Sequence, residues 1–147
     1  MYLQFPAFTP QSYSMQTIHY RLDASITPTQ LAEIFQRAGL KRPTEDLARM
    51  AQMLEHASLL ITAWDDEKLI GVARSLSDFC FCCYLSDLAV DQNYQHKGIG
   101  KQLIHLTRES IGTKTTLLLL SVPSAMTYYP KVGFTAVANG WTIQRTQ

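Results

Sequence analysis

The stretch that most constrains this chain is Gln95-His96-Lys97-Gly98-Ile99-Gly100, set between an apolar run, Leu85–Val90, and an amphipathic segment, Leu103–Ile111. The order reads as a strand, a loop dense in backbone donors, and a helix. A helix N-terminus carries unpaired N–H groups and about half a positive charge, so it can hold a phosphate or pyrophosphate. Gly98 and Gly100 have no Cβ to keep a ligand away from the main chain. His96 and Lys97 add positive character at the rim. The stretch therefore reads as a pyrophosphate cradle formed by Gln95, His96, Lys97, Gly98, Ile99, Gly100 and Lys101. A plain helix-start turn would use the same glycines, and with seven glycines in 147 residues a Gly-x-Gly carries little weight alone.

Two other phosphate-binding patterns fail here. A Walker loop needs a spaced glycine pair followed by Lys-Ser/Thr, which does not occur. A dinucleotide fingerprint needs a third glycine where Leu103 stands. The pattern that fits is Gln/Arg-x-x-Gly-x-Gly after a strand ending in valine: Asp87-Leu88-Ala89-Val90, then Asp91–Tyr94, then Gln95 to Gly100 and Leu103. A second segment, Tyr128-Tyr129-Pro130-Lys131-Val132-Gly133-Phe134, follows the apolar run Thr116–Val122. In that order and at that separation, the two segments resemble those of the GNAT superfamily of acyl-CoA-dependent N-acyltransferases. The resemblance covers most of Ile18–Ile143, with both motifs in the C-terminal half.

The resemblance implies an α/β fold: a mixed, mostly antiparallel central sheet, helices on both faces, and a V-shaped split between two central strands. Acetyl-CoA would lie in that split as co-substrate, and an amine would attack its thioester directly in a ternary complex. Leu88, Ala89 and Val90 would pair with the pantetheine through their main-chain groups. Tyr129 matches the tyrosine that protonates the departing thiolate in many relatives; a core aromatic is the alternative reading. Pro130 departs from the family pattern and disfavours helical geometry at Tyr129, so a helix is expected to end there. Many relatives place a Glu where this chain has Ser86, which leaves Asp87 as the candidate base, with pairing to Arg74 as its structural alternative. Arg74, Asp78, Phe79, Phe81 and Tyr84 fall on the strands that line the acceptor side in relatives. That mixture suits a small or amino-acid-like amine rather than a polyamine.

Composition sets the remaining bounds. With 46% apolar and 17% charged residues, this length reads as one globular domain over 17–147. A net charge of +1 gives no general attraction to nucleic acid or anionic membrane. No apolar run approaches membrane-spanning length, and residues 1–16 lack the layout of a signal peptide. They read as an N-terminal extension or an added strand, with Met15 as an alternative start. Cys80, Cys82 and Cys83 make a poor disulfide framework; they are expected to be buried strand residues in a cytoplasmic protein, with no metal site.

Patterning predicts strands at Thr17–Leu22, Ser58–Trp64, Lys68–Leu76, Phe79–Val90 and Thr116–Val122. A capped helix follows Thr27, and another opens at Pro43-Thr44-Glu45-Asp46. Asp65-Asp66-Glu67 is a hairpin turn. A short helix is expected near Ser124–Tyr129 and a last strand within Phe134–Ile143, whose Trp141 would either pack in the core or join a homodimer interface. The functional expectation is N-acetyl transfer from acetyl-CoA to a primary amine of a small molecule or protein. A non-catalytic acyl-CoA-binding regulatory module is the alternative, with Ser86 in its favour; a nucleic-acid-directed relative would show a basic face.

Overall fold

A computed structural model describes residues 17–22 and 24–146; the expectations for residues 1–16 lie outside that range. The strands are β1 (Ile18–Arg21), β2 (Leu59–Asp65), β3 (Lys68–Ser77), β4 (Cys82–Val90) and β5 (Thr116–Leu118). The helices are α1 (Pro28–Ala38), α2 (Leu47–Glu55) and α3 (Ile99–Ile111). The five strands form one sheet in sequence order, antiparallel from β1 to β4, with β5 parallel to β4.

Local signals act where expected. Thr27 and Gln30 close a reciprocal capping box on α1, and Gly39 ends that helix in the left-handed region. Helix α2 begins only at Leu47, with Asp46 as its cap accepting the Arg49 N–H, so residues 43–45, expected to open the helix, precede it. Strands β2 and β3 are buried on both faces, which needs two cores. Trp64, Leu69, Val72 and Ala89 pack under α1 and α2 with Leu31, Ile34, Phe35 and Met50. Ile61, Ala63, Ile70, Ala73 and Leu85 pack on the opposite face against Ile99, Leu103 and Ile104 of α3. The mixed sheet with helices on both faces matches the fold expected from sequence.

The departures lie at ends of elements. The strand predicted from Phe79 starts at Cys82, because the Asp78 carboxylate accepts the N–H groups of Cys80, Phe81 and Cys82 and holds them in a turn. Those three donors keep Asp78 well below the usual carboxylate range. Only Cys83 is buried; Cys80 and Cys82 are exposed on and beside that turn, contrary to the burial expected of all three. The strand predicted over Thr116–Val122 is ordered as such only to Leu118. Two short 3₁₀ turns, Pro123–Ala125 and Tyr129–Val132, replace the helix expected near Ser124–Tyr129. Pro130 opens the second turn instead of ending a helix, since its missing N–H is harmless in a first turn. No strand forms in 134–146 among the described residues, and Trp141 is 94% exposed, so it is not a core residue.

Candidate active site

The split between strands begins at a β-bulge. Strand β4 pairs with β5 only over Cys82–Tyr84, against Thr116–Leu118. Opposite β3, Ser75 faces Leu85 and Arg74 faces Asp87, which leaves Ser86 as the extra residue. A bulge bends and twists its strand, so β4 turns at Ser86, directly after its last pairing with β5. Beyond that point β4 has no registered partner on its β5 side among the described residues.

The polarity of the free edge follows from the ladder. The Asp91 N–H donates to the Ile70 carbonyl at 2.8 Å, while Gly71 faces Val90. That makes Gly71–Val90 a non-hydrogen-bonded pair, so the N–H and C=O of Val90 point away from β3. Alternation gives Leu88 the same direction and turns Ala89 toward β3. Leu88 and Val90 therefore turn their main-chain groups toward the free edge, while those of Ala89 face β3. The Val90 carbonyl accepts a hydrogen bond from the Gln95 side-chain amide at 3.0 Å, which ties the cradle loop to the cleft edge.

Helix α3 starts at the mouth of this cleft with its donors open. Its N-cap is Gly98, at φ 81°, with no side-chain cap, whereas α1 and α2 are both capped by side chains. The first intrahelical bond near this end is Gln102 N–H to Gly98 C=O. The N–H groups before it face outward at the positive end of the helix dipole. The two glycines serve different ends. Gly98 supplies a left-handed φ in open space, while a Cβ on Gly100 would lie 2.9 Å from the Tyr128 hydroxyl and 3.8 Å from Val90 Cγ2.

The loop leading in is held firmly. Asp91 is buried, accepts the Asn93 N–H at 3.0 Å, and pairs with Arg37 at 3.1 Å and Lys68 at 3.2 Å. Burial raises its proton affinity, but the Asn93 N–H and the two cations more than offset this and lower its pKa. His96 adopts φ 63°, a left-handed conformation that is uncommon outside glycine and frequent at functional turns. The Lys97 ammonium sits 5.0 Å from the Tyr94 ring centroid and forms no ion pair among the described residues. Ile99 is buried in the core under α3, so it can meet a ligand only through its main chain.

Both tyrosines of the second segment reach this region. Tyr129 packs edge-on against Phe134, with centroids 5.5 Å apart, and against Tyr128 at 5.4 Å. Neither hydroxyl has a hydrogen-bond partner among the described residues. Burial pushes both phenols above 10, and the neighbouring Tyr128 adds to the shift of Tyr129. They therefore stay protonated throughout the neutral range. It is Tyr128 whose hydroxyl overlies Gly100 at the helix end.

Asp87 is 1% exposed and carries two ion pairs. Arg74 Nε stands 2.5 Å from Oδ2, and Arg42 Nε stands 2.6 Å from Oδ1. Arg74 also donates to Ser86 Oγ at 3.0 Å and to the Met53 carbonyl at 3.2 Å. The pairing with Arg74 was one of the sequence readings. Arg42 was missed, because it arrives from the α1–α2 connection with no local pattern to mark it. The expected acceptor-side set is dispersed: Arg74 is in this buried network and Tyr84 in the last β4–β5 pair, while Asp78, Phe79 and Phe81 sit at the far hairpin turn. Phe81 is seven residues from Leu88 along the chain, about 23 Å at strand spacing.

An open helix end, an unpaired strand edge and a lining without Cβ at Gly100 fit an elongated ligand with a pyrophosphate and amide groups. On this basis Gly100→Val is expected to fold, since the clash meets only the end of the Tyr128 side chain. It should weaken acetyl-CoA binding about tenfold or more, equal to about 1.4 kcal/mol. An unchanged dissociation constant by calorimetry would rule the cradle out.

Comparison with known proteins identifies the family and the fold. The family described as "Acetyltransferase (GNAT) domain" matches residues 23–143. An uncharacterized N-acetyltransferase, ycf52, of Pyropia yezoensis is 26% identical over 133 residues, covering 86% of this chain and 75% of that protein. Its counterpart in Porphyra purpurea is 27% identical over 112 residues, covering 71% of this chain and 63% of that protein. The chain thus spans roughly two thirds to three quarters of the length of these relatives. A probable acetyltransferase of unknown function from meticillin-resistant Staphylococcus aureus shares the fold, with a TM-score of 0.76 at 20% identity over 88% of this chain and 100% of that one. The chain belongs to the GNAT acetyltransferase family and is an acyltransferase.

Proposed function

We propose that the protein transfers an acetyl group from acetyl-CoA to a primary amine of a small molecule or protein, by direct attack within a ternary complex. The observation that carries this reading is the uncapped N-terminus of α3 lying beside the free edge of Leu88 and Val90. Cradle donors Gln95–Lys101 hold the pyrophosphate, and the Leu88 and Val90 amides hold the pantetheine. An N–H of this edge aimed at the thioester oxygen stabilises the charge that develops there. Tyr129 supplies the proton to the departing thiolate. Asp87, clasped by two guanidiniums, serves as an anchor for the acceptor wall and leaves proton removal from the amine to water.

Titration of acetyl-CoA with a thermal-shift readout, followed by a thiol-release screen over amines, tests this reading. Binding together with amine-dependent thiol release is expected. Binding without release for any amine would favour the regulatory acyl-CoA-binding module. No helix among the described residues is long and apolar enough to cross a membrane, and the protein is proposed to work in the cytoplasm. Trp141 and Ile143 are 94% and 102% exposed, which supports pairing of two copies through this segment. Light scattering is expected to give twice the 16.6 kDa chain mass; a value near the single-chain mass at micromolar concentration would refute the homodimer.

A further inference from the structure

We propose that the acceptor bears a carboxylate near its amine, and that Arg42 recognises it. This deepens the acyl-transfer reading above and rests on it. Two guanidiniums, Arg42 and Arg74, share the single carboxylate of Asp87, so the centre carries a surplus positive charge. Ser86 adds no charge to offset this surplus and contributes only a hydroxyl that accepts from Arg74.

The two arginines use their donors alike and differ in exposure, with side chains 6% exposed for Arg74 and 27% for Arg42. Arg74 is buried, with Nε, Nη1 and Nη2 bound to Asp87, the Met53 carbonyl and Ser86. Arg42 keeps a side chain 27% exposed. Its Nε, Nη1 and Nη2 donate to Asp87, the Lys41 carbonyl at 2.8 Å and the Ser86 carbonyl at 3.0 Å. A guanidinium has five N–H donors, so one remains on each terminal nitrogen. Those donors are held rigidly, because Asp87 and the Ser86 carbonyl fix the plane of the group.

The position suits an acceptor. Arg42 grips β4 at the bulge where that strand leaves β5, two residues before Leu88, whose amide opens on the cleft; that is about 6.6 Å along a strand. A partly exposed cation with free donors attracts anions and repels polycations. A carboxylate meeting a pre-oriented guanidinium forms charge-assisted hydrogen bonds, which are the strong ones. An amino acid, or a peptide with a nearby carboxylate, would meet Arg42 with its anion and the thioester with its amine.

The test is calorimetric titration of the CoA-saturated protein with N-acetylated amino acids, as product mimics, each paired with its primary carboxamide. Small, acidic and aromatic side chains make up the set. In the wild-type protein at least one carboxylate is expected to bind about tenfold or more tighter than its amide. The preference should vanish in Arg42→Gln and survive in part in Arg42→Lys, which keeps the charge without the fork. Equal affinities, a preference for amides, no binding of any pair, or a preference that survives Arg42→Gln would each overturn the proposal. The wild-type comparison decides even if Arg42→Gln fails to fold. Failure of CoA itself to bind would overturn the acyl-transfer reading and this proposal with it, so the two failures are distinguishable.

Discussion

Asp87→Ala is expected to lower the unfolding free energy by about 3–5 kcal/mol, the usual cost of removing one partner from a buried ion pair. The carboxylate is 1% exposed and joins four elements through two side chains. Arg74 belongs to β3 and reaches the Met53 carbonyl of α2, Arg42 comes from the α1–α2 connection, and Asp87 itself lies on β4. Without it, two guanidiniums face each other with no anion between them in the core. A surface pair would cost no more than about 1 kcal/mol, so the magnitude separates an anchor from an incidental contact. Denaturant unfolding measures the loss, and Asp87→Asn, which keeps the shape, provides a milder comparison. If the alanine variant is nearly as stable as wild type and instead loses turnover with a shifted pH–rate profile, Asp87 is the base and the anchor role fails.

Tyr129→Phe is expected to reduce turnover by about two orders of magnitude or more while leaving acetyl-CoA affinity nearly unchanged. The substitution keeps the ring that packs against Phe134 and deletes only the proton. Burial has raised this phenol above 10, so the donor is present throughout the neutral range and is lost only as pH climbs past that raised value. The wild-type rate should accordingly show no alkaline decline attributable to this group below about pH 10. The adjacent hydroxyl provides the control. Tyr128 overlies Gly100 at the start of α3, where the proposed cradle lies, so Tyr128→Phe should shift acetyl-CoA affinity and hold turnover within about threefold. If the two variants exchange behaviours in single-turnover kinetics, Tyr128 is the acid.

Where local chemistry dominates, sequence patterning located the elements. The capping box at Thr27 and Gln30, the turn before Lys68 and the Gly98 helix start each depend on residues within a few positions of one another. The cleft edge was partly readable for the same reason, because an apolar run ending at Val90 marks a strand. Which amides of that run face outward was not readable, since it depends on hydrogen-bond parity with β3 and on a bulge that leaves no mark in the residue pattern. The C-terminal segment was misjudged because β-rich composition cannot supply the neighbouring strand that a lone strand needs.

By itself, then, the amino-acid order determined a strand–loop–helix unit with an open, glycine-lined helix end, and the family to which such a unit belongs. Short-range sterics and backbone donors suffice for that. Only the tertiary structure decided that Asp87 is clasped between Arg74 and an arginine 45 positions earlier in sequence, and that Tyr128, not Tyr129, overlies Gly100. Both follow from packing of elements distant in sequence, where one bulge at Ser86 and one loop crossing from α1 to α2 set which charges meet.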